Sequence, residues 1–211
     1  MTKKYLTVKE ANQAEYIEKK SRFIGYVRPV ETEQQALDFI KEIRAKHYDA
    51  THNCYAYQIG DNDQLQRSSD AGEPAGTAGR PILEVIKKSG LKNTCVVVTR
   101  YFGGILLGAG GLVRAYSRAA QDGIKAAGVV EKIPAGVLSL TLDYNQWSRV
   151  ENYLQTNDYQ TKDVIYMEKI TAQVLVPDES AEKFKADIVE MGNGGIQILD
   201  LAETDYLTRE V

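Results

Sequence analysis

Five glycines between residues 103 and 111 have the spacing expected of an anion-binding loop. The segment GGILLGAGGLVRAY, residues 103–116, puts them before or inside the first turn of a predicted helix. They are Gly103, Gly104, Gly108, Gly110 and Gly111. Backbone N–H groups exposed at a helix start, with the helix dipole behind them, favour an anion such as phosphate. Glycines also allow a helix and a strand to pack closely, so this structural interpretation stays open.

Arginines and tyrosines flank the glycine-rich segment and are suited to phosphate or RNA. A guanidinium group matches phosphate oxygens, and a tyrosine ring offers a stacking face for a base. Arg114 and Arg118 are four residues apart and therefore share one helix face. A solvated face with salt bridges is the alternative for such a pair. The candidate phosphate- or RNA-binding side chains are Arg80, Arg100, Tyr101, Arg114, Tyr116 and Arg118.

The loop RSSDAGEPAGTAGRP, residues 67–81, is the candidate second wall of this site. Loops longer than about 12 residues are usually functional or disordered, and we expect this one to be ordered and packed beside the glycine-rich segment. Asp70 and Glu73 fit poorly with a surface that binds only phosphate, so they either pair with Arg100 or Arg114 or hold a metal. The loop-wall candidates are Asp70, Gly72, Glu73, Gly76, Thr77 and Gly79.

Three side chains are candidates for acid–base catalysis, namely His52, Asp70 and Glu73. Alternate residues of a strand share a face, so Cys54 lies beside His52, and a cysteine with a histidine can form a nucleophilic pair. The sequence identifies no third, orienting residue, and a structural histidine is the alternative. One histidine with scattered carboxylates is a poor set of ligands, so we predict neither a metal site nor a cofactor.

Charge is divided unevenly along the chain. Residues 1–136 contain 20 Lys and Arg against 15 Asp and Glu, whereas residues 137–211 contain 6 against 14. The stretch 80–120 has seven basic residues and one acid, which is typical of a phosphate-facing surface. No stretch has the ~20 apolar residues that a membrane span needs. We expect a soluble, unexported, cytoplasmic protein with Cys54 and Cys95 as reduced core thiols.

Hydrophobic periodicity predicts the elements that position the N-terminal candidates. Residues 16–27 indicate one long or bent strand, and an amphipathic helix opens at Glu31 or Thr32. Pro81 stands at a plausible first position of a helix that ends at Gly90. A buried strand, the glycine-rich loop and a second helix then follow in sequence.

A linker is predicted at residues 130–137, so we expect domains at 1–132 and 137–211. The second domain has the βαββαβ order of the ferredoxin-like pattern. Its predicted elements are strand 137–144, helix 145–156, strands 161–167 and 169–177, helix 178–191 and strand 196–204. The chain is therefore expected to be an α+β protein of two domains.

Four segments together resemble the IMPACT family, in particular its bacterial members of the YigZ/YvyE type. The segments are HNCYAY at 52–57, DAGEPAGTAGRPIL at 70–83, VVTRYFGG at 97–104 and LGAGGLVRAY at 107–116. The resemblance implies an N-terminal domain of the ribosomal protein S5 domain 2-like fold and a C-terminal domain similar to domains III and V of elongation factor G. It also implies contact with RNA or the ribosome.

Two hypotheses about function follow. The first is a non-enzymatic, translation-linked regulatory protein that binds RNA, the ribosome or another phosphate-bearing ligand through the glycine-rich, arginine-lined cleft, with a protein partner in translation also possible. Eukaryotic members of the family regulate translation, but they carry a different partner domain. The second is an enzyme that depends on a nucleotide or small phosphate, because the fold also houses the GHMP kinases with their glycine-rich loop. A peptide or protein interface is a third interpretation of the cleft.

Overall fold

Residues 3–211 are described by the structure, which is a computed structural model, and they form ten strands and five helices. The strands are Tyr5–Val8 (β1), Asn12–Glu18 (β2), Ser21–Pro29 (β3), His52–Ile59 (β4), Leu65–Ser69 (β5), Thr94–Tyr101 (β6), Val129–Leu142 (β7), Gln160–Tyr166 (β8), Ile170–Pro177 (β9) and Gln197–Glu210 (β10). The helices are Glu33–Lys46 (α1), Gly79–Lys88 (α2), Gly108–Ala127 (α3), Tyr144–Thr156 (α4) and Ala181–Met191 (α5), with one 3-10 turn at Asp178–Ser180.

The chain folds as two units, which confirms the α+β, two-domain architecture. One unit consists of Tyr5–Glu131 with Glu210–Val211, and the other contains Lys132–Arg209; we call them the N-terminal and C-terminal units. No helix among residues 3–211 combines the length and the apolar character needed to cross a membrane.

The N-terminal unit has a five-stranded antiparallel sheet with the strand order β2-β3-β6-β4-β5. Its three central strands, β3, β6 and β4, are largely buried because helices cover both sides of the sheet, whereas the edge strands β2 and β5 are partly exposed. Helix α1 packs on one face, and helices α2 and α3 pack on the other. Thr32, one of the two helix starts that the sequence allowed, caps α1 by accepting a hydrogen bond from the Gln35 backbone N–H at 3.2 Å.

The single strand predicted at residues 16–27 is wrong, because the chain turns back within it. Strands β2 and β3 form a hairpin whose two-residue turn is Lys19-Lys20. Both lysines have positive φ, 44° and 65°. Two-residue hairpin turns with positive φ usually contain Asn-Gly or Asp-Gly. A Lys-Lys pair gives no such signal, so the turn is invisible to residue preferences.

Helix α3 lies unusually close to strand β3. A Cβ atom on Gly25 would overlap the Ala119 carbonyl oxygen of α3. Gly123, two turns further along the helix than Tyr116, has the Gly25 carbonyl oxygen 2.7 Å from where its own Cβ would stand. Only hydrogen side chains permit this separation, which brings the rest of α3 down onto the sheet.

The C-terminal unit has the predicted βαββαβ order, from β7 through α4, β8, β9 and α5 to β10. Strand β9 lies between β7 and β8, and β10 also pairs with β7. The linker predicted at 130–137 is wrong, because these residues are part of β7. The segment has residues that are common in linkers, namely Lys132, Pro134 and Gly136. Their neighbours Ala135 and Val137, however, are buried and pair with β9.

Candidate functional site

Asp70 closes the loop between β5 and α2. One carboxylate oxygen, Oδ1, accepts hydrogen bonds from the Ala78 and Gly79 backbone N–H groups at 3.0 and 2.8 Å. The other, Oδ2, accepts one from the Gly76 N–H at 2.8 Å. Burial by itself raises the pKa of Asp70, but these three hydrogen bonds outweigh it and hold the pKa below its usual value. The carboxylate therefore fixes the loop and caps the start of α2 from eight residues away.

Glu73 lies at the centre of a buried polar cluster. Its Oε1 atom accepts hydrogen bonds from Arg100 Nη1 at 2.6 Å and from the Tyr116 hydroxyl at 2.7 Å. The Glu73 and Arg100 side chains are only 3% and 6% exposed. The His52 Nε2 atom stands 3.9 Å from the second Glu73 oxygen. The cluster thus joins the loop, strands β4 and β6, and helix α3.

His52 and Cys54 point into this cluster from strand β4, but both are occupied by structural contacts. His52 Nδ1 is 2.9 Å from the Ala71 carbonyl oxygen. The Cys54 thiol donates to the Asp70 carbonyl oxygen at 2.9 Å and lies 3.4 Å from the Tyr116 hydroxyl. Burial raises the pKa of Cys54 to about 12. Since the thiolate is the reactive form, this thiol is not a nucleophile near neutral pH.

These contacts decide where the candidate arginines and acids are placed. Of the two partners expected for the loop acids, Arg100 pairs with Glu73, whereas Asp70 binds backbone N–H groups and Arg114 is exposed. Because Arg100 and Tyr116 are buried and hydrogen-bonded, neither offers a charge or a ring to an incoming ligand. Their position supports the loop from below the surface.

The five glycines serve different purposes. Gly103 is a packing residue, because a Cβ there would overlap the Lys20 backbone, and its N–H donates to Ser21 Oγ at 3.2 Å. Gly104 and Gly108 have positive φ, 81° and 70°, which glycine adopts without a steric penalty. The remaining two, Gly110 and Gly111, lie in the first turn of α3.

The start of α3 is open to a ligand. The residue before it, Leu107, makes no side-chain capping hydrogen bond, and the first turn contains no acid. The first four N–H groups of a helix have no partner inside it. Three large apolar side chains of the preceding loop are exposed: Phe102 by 46%, Ile105 by 41% and Leu106 by 83%.

A cleft of about 270 Å³ lies beside this helix start. Arg114 and Arg118 line it from α3, and Lys19 lines it from the hairpin turn. Arg118 donates to Asp122 at 2.7 Å, whereas Arg114 has no ion-pair partner within residues 3–211. Glu18 also lines the cleft, and its carboxylate accepts a hydrogen bond from the Tyr16 hydroxyl. We call the exposed part of this region, Lys19, Lys20, 102–108 and Arg114, the hairpin–loop surface.

Comparison with known proteins places both units in one family. Residues 19–124 match the Impact N-terminal domain, and residues 140–194 match a domain of unknown function, DUF1949. IMPACT family member YvyE of Bacillus subtilis is 44% identical over 211 residues, covering 100% of this chain and 97% of its own length. The chain belongs to the IMPACT family.

Other IMPACT relatives match the chain to different extents. IMPACT family member YigZ of Escherichia coli is 35% identical and covers 88% of this chain and 92% of its own. Protein IMPACT of Rattus norvegicus is 39% identical over 107 residues, which are 46% of this chain and 32% of that protein. A crystal structure of a hypothetical protein, 33% identical, overlaps 96% of this chain and 100% of its own with a TM-score of 0.61.

The remaining predicted residues of this IMPACT-family chain lie apart from the hairpin–loop surface. Tyr101 is hydrogen-bonded to His47 Nδ1 at 2.8 Å and to Asp49 at 3.1 Å, on the α1 side of the sheet. Arg80 lies in a groove between α2 and α3. Thr77 is buried and donates to the Pro74 carbonyl oxygen at 2.6 Å, while Gly72 and Gly76 have positive φ in the loop.

Sequence reasoning missed the lysines and the apolar side chains of the hairpin–loop surface. The sequence patterns place Lys19 and Lys20 within a strand and Phe102 at the end of a buried strand, and they give Ile105 and Leu106 no role. The signal available was the apolar character of an otherwise glycine-rich loop. Within residues 3–211, no three His, Cys, Asp or Glu side chains are grouped so that they could hold a metal ion.

Proposed function

We propose that this IMPACT-family chain is a translation-linked regulatory protein that binds RNA phosphates through the hairpin–loop surface and catalyses no reaction. The observation that carries the proposal is Arg114, which has no ion-pair partner in the described part of the chain and lies beside the uncapped, acid-free start of α3. Helix N–H groups and arginine are both donors that suit phosphate oxygens. The link to translation rests on the family resemblance.

Two further properties of the surface support RNA as the ligand. Lys19 and Lys20 add two charges at the hairpin turn, and the N-terminal half of the chain has an excess of basic residues. Phe102 supplies an exposed ring, and Ile105 and Leu106 supply apolar contact area. Protein surfaces that bind single-stranded RNA typically combine cations, which neutralise the phosphates, with exposed rings, on which the bases stack.

The experiment is binding of labelled polyuridylate to the whole chain over a series of salt concentrations. A variant with Lys19→Ala, Lys20→Ala and Arg114→Ala should bind more weakly and show a salt slope smaller by about 2, because about 0.7 per lost phosphate contact is expected for single strands. A control variant with Lys41→Ala, Lys125→Ala and Lys183→Ala has the same change in net charge. Equal slopes for the two variants would contradict the proposal.

An enzyme that uses a nucleotide is the alternative, and the positions of its candidate residues count against it. Asp70 is held by three backbone N–H groups, and Glu73 by Arg100 and Tyr116. Both oxygens of Asp70 and the Oε1 atom of Glu73 are thus engaged in contacts that hold the loop. Thermal unfolding with ATP or GTP and Mg²⁺ separates the alternatives, because saturable stabilisation favours the enzyme.

A further inference from the structure

A groove of about 590 Å³ between α2 and α3 is separate from the hairpin–loop surface. Residues along each helix line it at helical spacing, three or four apart. Such spacing places each set on one face of its helix, so the groove runs along the helices rather than across them. The α2 wall is Pro81, Glu84, Val85 and Lys88, and the α3 wall is Val113, Ser117 and Gln121.

The groove is positively charged at both ends. Arg80 and Lys88 are eight residues apart on α2, which is about 12 Å along the helix axis. Neither forms an ion pair within residues 3–211, whereas Lys87 pairs with Glu84 at 3.3 Å. The acid of the groove is thus neutralised by a neighbour, and the two terminal cations are available to a partner.

The middle of the groove contains apolar side chains, the Glu84 carboxylate that pairs with Lys87, and two polar groups that are unused among the described residues. Pro81 and Val85 form part of its lining, and Val113 is 37% exposed. The Ser117 hydroxyl and the Gln121 carboxamide make no hydrogen bond among those of the described residues. An apolar strip with cations at either end complements a helix that has apolar residues at i, i+4 and i+7 and acids outside them.

We propose that this groove is a docking site for an acidic, amphipathic helix of a partner protein. The charge of the groove selects the sign of the partner, and the distance between Arg80 and Lys88 fits two carboxylates about two helical turns apart. The apolar lining disfavours RNA, because the aromatic side chains that would stack on bases are absent from the residues that line it. The site goes beyond the proposed RNA binding and does not depend on it.

The test uses fluorescein-labelled, acetylated and amidated helical peptides with two glutamates eight residues apart and leucines at varied helical spacing between them. Fluorescence anisotropy with the whole chain should show saturable binding for the best spacing. Arg80→Glu with Lys88→Glu should raise the Kd about tenfold or more, because each reversal replaces attraction by repulsion. A peptide with lysines in place of the glutamates should regain affinity for that double variant.

Lys41→Glu with Lys183→Glu is the matched control, since it changes the net charge equally on exposed residues outside the groove and on neither of its two helices. Binding by none of the peptides, or an equal loss in this control, would overturn the proposal. A dimer in sedimentation that Arg80→Glu with Lys88→Glu dissociates would identify a second copy as the occupant and would also overturn it. A loss of polyuridylate binding in the variant with Arg80→Glu and Lys88→Glu would also overturn the proposal, because it would show that the groove binds RNA. The variant with Lys19→Ala, Lys20→Ala and Arg114→Ala should keep its peptide affinity.

Discussion

Glu73 shows how one buried acid can organise a loop. A carboxylate in a protein interior is tolerated when a cation and hydrogen bonds compensate for the lost water. Arg100 and Tyr116 supply both, although the buried Nε atom of Arg100 has no hydrogen-bond partner among residues 3–211. The cluster therefore fixes the loop from its buried side, whereas the loop glycines Gly72 and Gly76 lie on its exposed side.

Removing one partner of this pair should be costly. Arg100→Met leaves the Glu73 carboxylate buried and unpaired, which we expect to reduce the free energy of unfolding by about 3–5 kcal/mol. Urea unfolding followed by circular dichroism measures this. The exposed pair of Arg118 with Asp122 is the control, and Arg118→Ala should cost about 0.5 kcal/mol or less. Similar losses in the two variants would show that Glu73 is solvated or otherwise compensated.

The sequence allowed the loop acids either to pair with Arg100 or Arg114 or to hold a metal, and it did not choose between these alternatives. Asp70 and Glu73 are three residues apart with the same charge, and nothing local distinguishes them. Only the folded backbone brings three N–H groups to Asp70 and Arg100 to Glu73. The burial of Tyr116 was equally hidden, because a tyrosine in an amphipathic helix is compatible with either face.

At the scale of elements, the sequence predicted the helix ends that are set by neighbouring residues. The Thr32 cap gives the start of α1, and Gly90, with φ 66°, follows the end of α2 as expected. Pro81, however, is the third residue of α2, because Asp70 caps the helix from outside its own sequence. The Lys19-Lys20 turn and the course of β7 through the predicted linker depend on strand pairing, which no local composition shows.

The approach of α3 to β3 depends on Gly25, and it should not tolerate a methyl group. Gly25→Ala places Cβ against the Ala119 carbonyl oxygen, so α3 must shift, and we expect a loss of about 2–3 kcal/mol. Gly110→Ala is the control, because its added Cβ meets only the end of Arg114, at 3.7 Å. That change should add about 0.5 kcal/mol, since alanine favours a helix over glycine. We expect the urea midpoint to fall in Gly25→Ala and to rise in Gly110→Ala, each relative to the unsubstituted protein. An unchanged midpoint in Gly25→Ala would refute the close packing.

At the scale of the whole molecule, the two units have separate cores and separate intrinsic probes. The core of the N-terminal unit contains Cys54, and Cys95 lies in the second cluster of that unit. Trp147, the one tryptophan of the chain, packs against the core of the C-terminal unit. Both thiols are fully buried, so their reaction with a thiol reagent reports opening of the N-terminal unit, while tryptophan fluorescence reports the other.

A substitution in one core should therefore move one probe. Phe184 is fully buried, with its ring centroid 4.7 Å from that of Tyr159, and Phe184→Ala should cost about 3–5 kcal/mol. We expect the Trp147 transition to move to lower urea while protection of the thiols is unchanged. Ile82→Ala, in the core of the N-terminal unit, should expose the thiols at lower urea and leave the Trp147 transition unchanged. If either substitution moves both transitions together, the units unfold as one cooperative structure despite their separate cores.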